Sequence, residues 1–205
     1  MGLLLIGFSS FIIALSGALV PGPLFSITVA ESAKRGASAG PLIIIGHGLL
    51  EISLITLIIL GITPFLSSLS AKTIICAVGG LVLIYMGYRL IKDAGAARLF
   101  LTGGEEKKGL HPVFTGIVGS VSNPYWSIWW VTIGLGYLVS SLKFGFLGVI
   151  VFFIGHIMAD LAWYSLISFA VARGKKMMGD RGYRSLLYAC GVFLVFFGIW
   201  FMKGI

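Results

Sequence analysis

The chain has 205 residues, 58% of them hydrophobic and 11% charged. Soluble domains run nearer half apolar and a quarter charged, which excludes a water-soluble globular protein. The formal charge of +8 is spread over short connections between apolar runs, so it does not form a nucleic-acid surface; even "RGKKMMGDRGYR" (Arg173–Arg184) reads as a solvated loop.

The first apolar run, Leu3–Ala30, opens on "MGLLLIGFSS". It has no basic n-region and is too long for a signal peptide, and Ile6 stands where a myristoylation motif needs Ser or Thr. Inside it lies "VPGPLFSI" (Val20–Ile27). Pro21 and Pro23 remove two backbone donors and Gly22 permits unusual dihedrals, so the helix is expected to break there. Glu31 and Arg35, at i and i+4 beyond its end, read as a surface salt bridge.

The second run, Pro41–Ile62, carries His47 and Glu51 on one helical face. The third, Ala71–Ile91, contains Cys76 and has Tyr85 and Tyr88 near its end, where they suit the headgroup zone. The connection that follows, Lys92–Pro112, includes "TGGEEKKG" (Thr102–Gly109), a flexible loop without P-loop spacing. The fourth run, Val113–Val139, holds "VSNPYWSI" (Val121–Ile128), where Asn123-Pro124 predicts a second break, and a deep "WSIWW" (Trp126–Trp130). The fifth, Phe144–Val171, carries His156 and Asp160, again four apart. The sixth, Leu186–Met202, contains Cys190 and ends at Trp200. A bilayer core offers the backbone no hydrogen-bond partners, so each run is expected to be a transmembrane helix. The whole reads as one polytopic all-α membrane domain, 1–205.

The chain contains an internal repeat. "VPGPLFSI" and "VSNPYWSI" align on Pro23 and Pro124; "GHGLLE" (Gly46–Glu51) and "GHIMAD" (Gly155–Asp160) both read Gly-His-x-x-x-acid. "GLVLIYMGYRLIK" (Gly80–Lys92) and "GVFLVFFGIWFMK" (Gly191–Lys203) share two glycines seven apart and a final Lys. Repeat one covers about 1–92, a cytoplasmic loop about 93–112, and repeat two about 113–205. Three spans per repeat invert the second copy, giving a 3+3 inverted-topology arrangement with broken helices 1 and 4. Charge placement agrees: twelve of fifteen Lys and Arg fall in or beside connections 1–2, 3–4 and 5–6, and only Lys72, Lys143 and Lys203 on the other side. The positive-inside rule then puts the odd connections in the cytoplasm and both termini outside.

Ionisable groups at mid-bilayer cost about 2.5–3.5 kcal/mol each on insertion scales, so they face a bundle interior or a wet cavity and are functional candidates. Two His/acid pairs at equivalent positions point to a shared central site: His47, Glu51, His156 and Asp160. Imidazole titrates near neutral pH, so proton handling is the expected task. At the breaks, freed N–H groups and the helix dipole favour an anion such as a carboxylate. Pro21, Gly22, Pro23, Ser26, Asn123, Pro124, Tyr125, Trp126 and Ser127 are the expected substrate contacts there.

The Pro-Gly-Pro of span 1, the "ESAKRGASAGP" turn after it and the Asn-Pro of span 4 resemble the LysE/RhtB amino-acid exporter family over all six spans. The resemblance implies proton-driven efflux of amino acids or derivatives from a prokaryotic plasma membrane, with Pro21, Gly22, Pro23, Asn123 and Pro124 matching the family motifs. Tyr125 stands where many members have Lys, and the His/acid pairs are more polar than is usual, which marks a divergent branch. The wider superfamily resembled here also includes metal exporters and thiol-redox transporters. The same two His and two carboxylates would suit Mn, Zn or Ni if they converged. A redox carrier fits poorly, since neither Cys76 nor Cys190 lies beside a break and the two do not align between repeats. A membrane-embedded zinc hydrolase would have no need of two symmetric pairs. The expected function is therefore export of an amino acid or similar small zwitterion by proton antiport, with divalent-cation transport as the alternative. The expected partners are that substrate, protons and the lipid bilayer, with homo-oligomerisation open, no nucleic acid and no cofactor.

Overall fold

The computed structural model describes residues 2–20, 22–61, 69–96, 110–174 and 179–203. Pro21 and the Thr102–Gly109 loop lie outside the described residues. Every described element is helical: α1 (Leu3–Ala18), α2 (Pro23–Arg35), α3 (Ala39–Ile59), α4 (Leu69–Ala96), α5 (Pro112–Val121), α6 (Pro124–Trp129), a π-helical turn (Trp130–Gly134), α7 (Leu135–Leu142), α8 (Gly145–Gly174) and α9 (Asp180–Met202). α3, α8 and α9 are long and apolar enough to cross a membrane, and the α1–α2 pair, inclined at 78°, makes a fourth crossing if taken as one broken span. Large apolar side chains such as Leu4, Phe8, Leu81, Phe146 and Phe196 project outward. That surface suits hydrocarbon as its solvent.

Both predicted breaks are present. α2 starts with Pro23 in its first turn, where a missing N–H costs nothing, after an extended Gly22 (φ −139°, ψ −173°). It stops at Gly36, whose φ of 92° is open to glycine and strained for other residues. The second break falls between Val121 and Pro124. There the Asn123 side chain accepts a 3.1 Å hydrogen bond from the Tyr125 N–H and so caps α6. The π turn that follows was not predicted. Both indoles of Trp129 and Trp130 fold over Gly134, where an added Cβ would lie 2.8 and 2.7 Å from their rings. Gly134 thus leaves room for two bulky rings on successive residues, and π turns of this kind recur at functional sites.

Glycines set the helix contacts, as is usual where lipid supplies no hydrophobic drive between helices. α4 and α9 pack antiparallel through the repeated seven-residue glycine spacing. A Cβ on Gly80 would come 2.8 Å from the Gly198 carbonyl oxygen, and one on Gly191 2.8 Å from that of Gly87. The glycines of the two Gly-His motifs pack reciprocally. Gly46 on α3 faces the Val113 carbonyl of α5, while Gly155 on α8 faces the Gly7 carbonyl of α1. Each motif therefore leans on a helix that precedes a break, α5 for Gly46 and α1 for Gly155. Ser10 Oγ adds a 2.8 Å bond to the Phe152 carbonyl between α1 and α8. Ser32 and Ser168 hydroxyls meet at 2.7 Å between α2 and α8, and Ser168 also accepts from the Gly40 N–H at 2.9 Å.

Candidate functional site

The four ionisable residues expected at the centre meet there. His47 and Glu51 stack one turn apart on α3, and His156 and Asp160 do so on α8, as the i,i+4 spacing requires. All four are buried, Glu51 completely (0% exposed). His47 Nε2 lies 3.2 Å from Glu51 Oε1 and 3.4 Å from Asp160 Oδ2. His156 Nε2 lies 3.0 Å from Glu51 Oε2 and 3.6 Å from Asp160 Oδ2. Each imidazole thus faces the carboxylate of its own helix and that of the other helix. The four form one cluster, not two separate pairs.

A second layer of side chains fixes the cluster. Ser120 Oγ on α5 bonds His47 Nδ1 at 2.7 Å. The indole N–H groups of Trp130 and Trp126 both donate to Glu51 Oε1, at 2.8 and 3.1 Å, and His156 Nε2 stands 3.1 Å from the same oxygen. The imidazole of His156 packs on Trp129, with ring centroids 4.6 Å apart, and its buried Nδ1 has no hydrogen-bond partner among the described residues. The two histidines are therefore not equivalent. A doubly protonated His47 finds an acceptor for each N–H, whereas His156 has one only at Nε2.

The cluster forms one wall of a cavity of about 210 Å³ that also touches both helix breaks, through Ala18, Leu24, Asn123 and Tyr125. A Cβ on Gly22 would lie 3.4 Å from the Tyr125 ring, so the two breaks adjoin. A water molecule claims ~30 Å³ of liquid, so the space suits several waters or one small solute. Drug-sized ligands need about 300 Å³ or more.

The expected break residues divide into two groups. Asn123, Tyr125 and Trp126 line the cavity, and Gly22 and Pro23 are buried beside it. Ser26 and Ser127 do not line it: Ser26 is buried within α2, and the buried Ser127 hydroxyl has no partner among the described residues. Pro124 opens α6 as expected. The two breaks differ in how the helix start that follows is capped. At the second, Asn123 Oδ1 already accepts from the Tyr125 N–H. The first break has no side-chain cap.

Among the residues that touch the cluster or cavity, the polar and aromatic side chains of Ser120, Trp129, Trp130 and Tyr164 were not expected at the site. The signal for the tryptophans was on the page, since Trp126, Trp129 and Trp130 fall at i, i+3 and i+4. Nothing local distinguishes Ser120 from neighbouring serines. The Glu31–Arg35 pair forms as predicted at 2.7 Å, and Arg35 also donates to the Leu110 carbonyl at 3.1 Å. Cys76 and Cys190 are both free thiols.

Chemically, the cluster can hold and pass protons between imidazole and carboxylate at hydrogen-bond range. It could also grip a cation. One nitrogen or oxygen from each of the four residues lies within 4.8 Å of all the others. The His–carboxylate separations among them are 3.0–3.6 Å.

The sequence model of the family described as LysE type translocator matches residues 15–204. No curated protein and no solved structure matches the chain.

Proposed function

Because the chain belongs to the LysE type translocator family, a family of membrane transporters, we propose that it exports an amino acid or related small zwitterion by proton antiport. It is a multi-pass membrane protein, and we place it in a prokaryotic plasma membrane with both termini outside. The observation that carries this reading is the buried His47–Glu51–His156–Asp160 cluster forming a wall of a small cavity between two helix breaks. Ionisable groups at such depth belong to ion or proton pathways by default. The substrate carboxylate would meet the uncapped start of α2, and its amine the carboxylates. The reciprocal packing of Gly46 and Gly155 and the antiparallel glycine pairs of α4 and α9 support six spans in two inverted repeats within one domain. Exchange of the two repeats' conformations would then expose the cavity alternately to each side.

A second reading, transport of a divalent cation, is favoured by the convergence of one ligand atom from each of the four residues within 4.8 Å of all the others. Support for His47 by Ser120 is also the kind of outer contact that orients a metal-ligating imidazole. Current recording from proteoliposomes under an imposed pH gradient separates the two. Amino acids are set against Mn, Zn, Ni and Cd, with wild type and the Glu51→Gln, Asp160→Asn double variant. Proton-coupled current with amino acids, lost in the variant, is the expected result. Current with metals alone would transfer the four residues to cation binding.

A further inference from the structure

Resting on the amino-acid reading above, we propose that the two carboxylates do different work: Trp126 and Trp130 hold Glu51 as a fixed anion, and Asp160 takes the substrate's ammonium group from the cavity. The Gly-His-x-x-x-acid repeat makes Glu51 and Asp160 equivalent in sequence. Their surroundings are not equivalent. Glu51 Oε1 accepts from two indoles at 2.8 and 3.1 Å and faces both imidazoles at 3.1–3.2 Å. An oxygen offers about two good lone-pair directions, so these donors saturate it.

Among the described residues Asp160 has only the two imidazoles, at 3.4 and 3.6 Å, both longer than a good N–H···O bond of about 2.7–3.2 Å. The cause lies in the repeat itself. Alignment on Pro23 and Pro124 sets Phe25 against Trp126, Thr28 against Trp129 and Val29 against Trp130. Phe25 and Val29 have no side-chain donor, and the Thr28 hydroxyl donates within its own helix to the Leu24 carbonyl at 2.8 Å. Repeat two thus supplies clamps to the acid of repeat one, and the described residues of repeat one return none.

Asp160 borders the cavity, as Glu51 does, and Tyr125, Trp126, Trp129 and Tyr164 line it too. A primary ammonium has three donors and no acceptor, and it is attracted to aromatic faces. A loosely held carboxylate in a cavity with aromatic walls matches that group. A divalent cation, in contrast, would draw on both carboxylates alike.

Counterflow into proteoliposomes tests the division, comparing a free amino acid with its N-acetyl derivative. Wild type is expected to prefer the free amine. Asp160→Asn should raise KM for the free amine at least about tenfold, the loss of one hydrogen bond to a charge, and erase the preference, which Asp160→Glu restores. The Trp126→Phe, Trp130→Phe double variant should lower the maximal rate and keep the amine preference. Retention of the preference in Asp160→Asn overturns the proposal, as does its loss in Glu51→Gln or in the tryptophan double variant. The tryptophan variant leaves both acids intact, so it decides the matter even if Asp160→Asn does not fold. A wild type that carries neither compound defeats the amino-acid reading itself.

Discussion

Replacing Gly46 by Ala should disable the site without touching a polar atom. Gly46 packs directly on the Val113 carbonyl, and a Cβ there would lie 2.8 Å from the carbonyl carbon and closer still to the oxygen. An ordinary contact begins at 3.4 Å, so the carbon alone requires α3 and α5 to part by about 0.6 Å, and the oxygen demands more. Overpacking of this kind costs about 1–3 kcal/mol. The shift also acts on His47, the next residue on α3, whose Nδ1 bonds Ser120 of α5 at 2.7 Å. Adding about 0.6 Å takes that bond past the roughly 3.2 Å limit of a good hydrogen bond. The expected result is a lower melting temperature in detergent together with loss of proton-coupled transport. Ser120→Ala should reproduce the transport loss with a smaller thermal effect, since it removes the same bond and leaves the helix contact intact. If Gly46→Ala melts and transports like wild type, the close α3–α5 contact is not a feature of the folded protein and the placement of His47 against Ser120 fails with it.

Gly191→Leu should separate α4 from α9, where a Cβ would already meet Ile91 Cγ1 at 2.7 Å and the Gly87 carbonyl oxygen at 2.8 Å; loss of monodisperse protein on size exclusion is expected, and normal behaviour refutes the packing. Arg35→Ala removes an exposed ion pair and should shift stability by no more than about 1 kcal/mol, as read by thermal melting. Exchanging the two acids (Glu51→Asp with Asp160→Glu) should not restore function, because an Asp at 51 is one methylene too short to reach the Trp126 and Trp130 indoles. Wild-type transport by the exchanged variant would show that the two positions are interchangeable.

Much of this arrangement was legible in the sequence because membranes force it to be. Each apolar run is helical in the described residues, and Pro23 and Pro124 start helices because proline cannot sit in an interior without breaking one. The i,i+4 pairing of His with an acid fixed each pair on its face. Which helices those faces meet is a matter of crossing geometry, set by where glycines permit backbones to touch. Periodicity along one helix carries no such information, so the cross-contacts His47–Asp160 and His156–Glu51 were not derivable. Ser120 was hidden for the same reason. The capping role of Asn123 could have been read, since Asn before Pro at a helix start is a common cap. The π turn could not, because it depends on two indoles folding over Gly134.

Under the proposed architecture, the scaffold is symmetric where it must move and asymmetric where it binds. Helix contacts recur in both repeats as glycine on backbone, which lets one repeat adopt the packing of the other at little cost. The indole donors occur in repeat two alone, with Phe25 and Val29 at the equivalent positions of repeat one. Exchange of the repeats' conformations therefore cannot regenerate the same site in mirror image. If exchange takes Glu51 off even one indole, the two states differ by one hydrogen bond to a charge, about 1.5–3 kcal/mol. That alone biases the resting population by roughly ten- to a hundredfold. An ammonium bound at Asp160 brings a new positive charge within reach of Glu51 and can replace the lost donor, so substrate would lower the cost of exchange. Coupling between binding and movement then follows from the one part of the repeat that is not repeated.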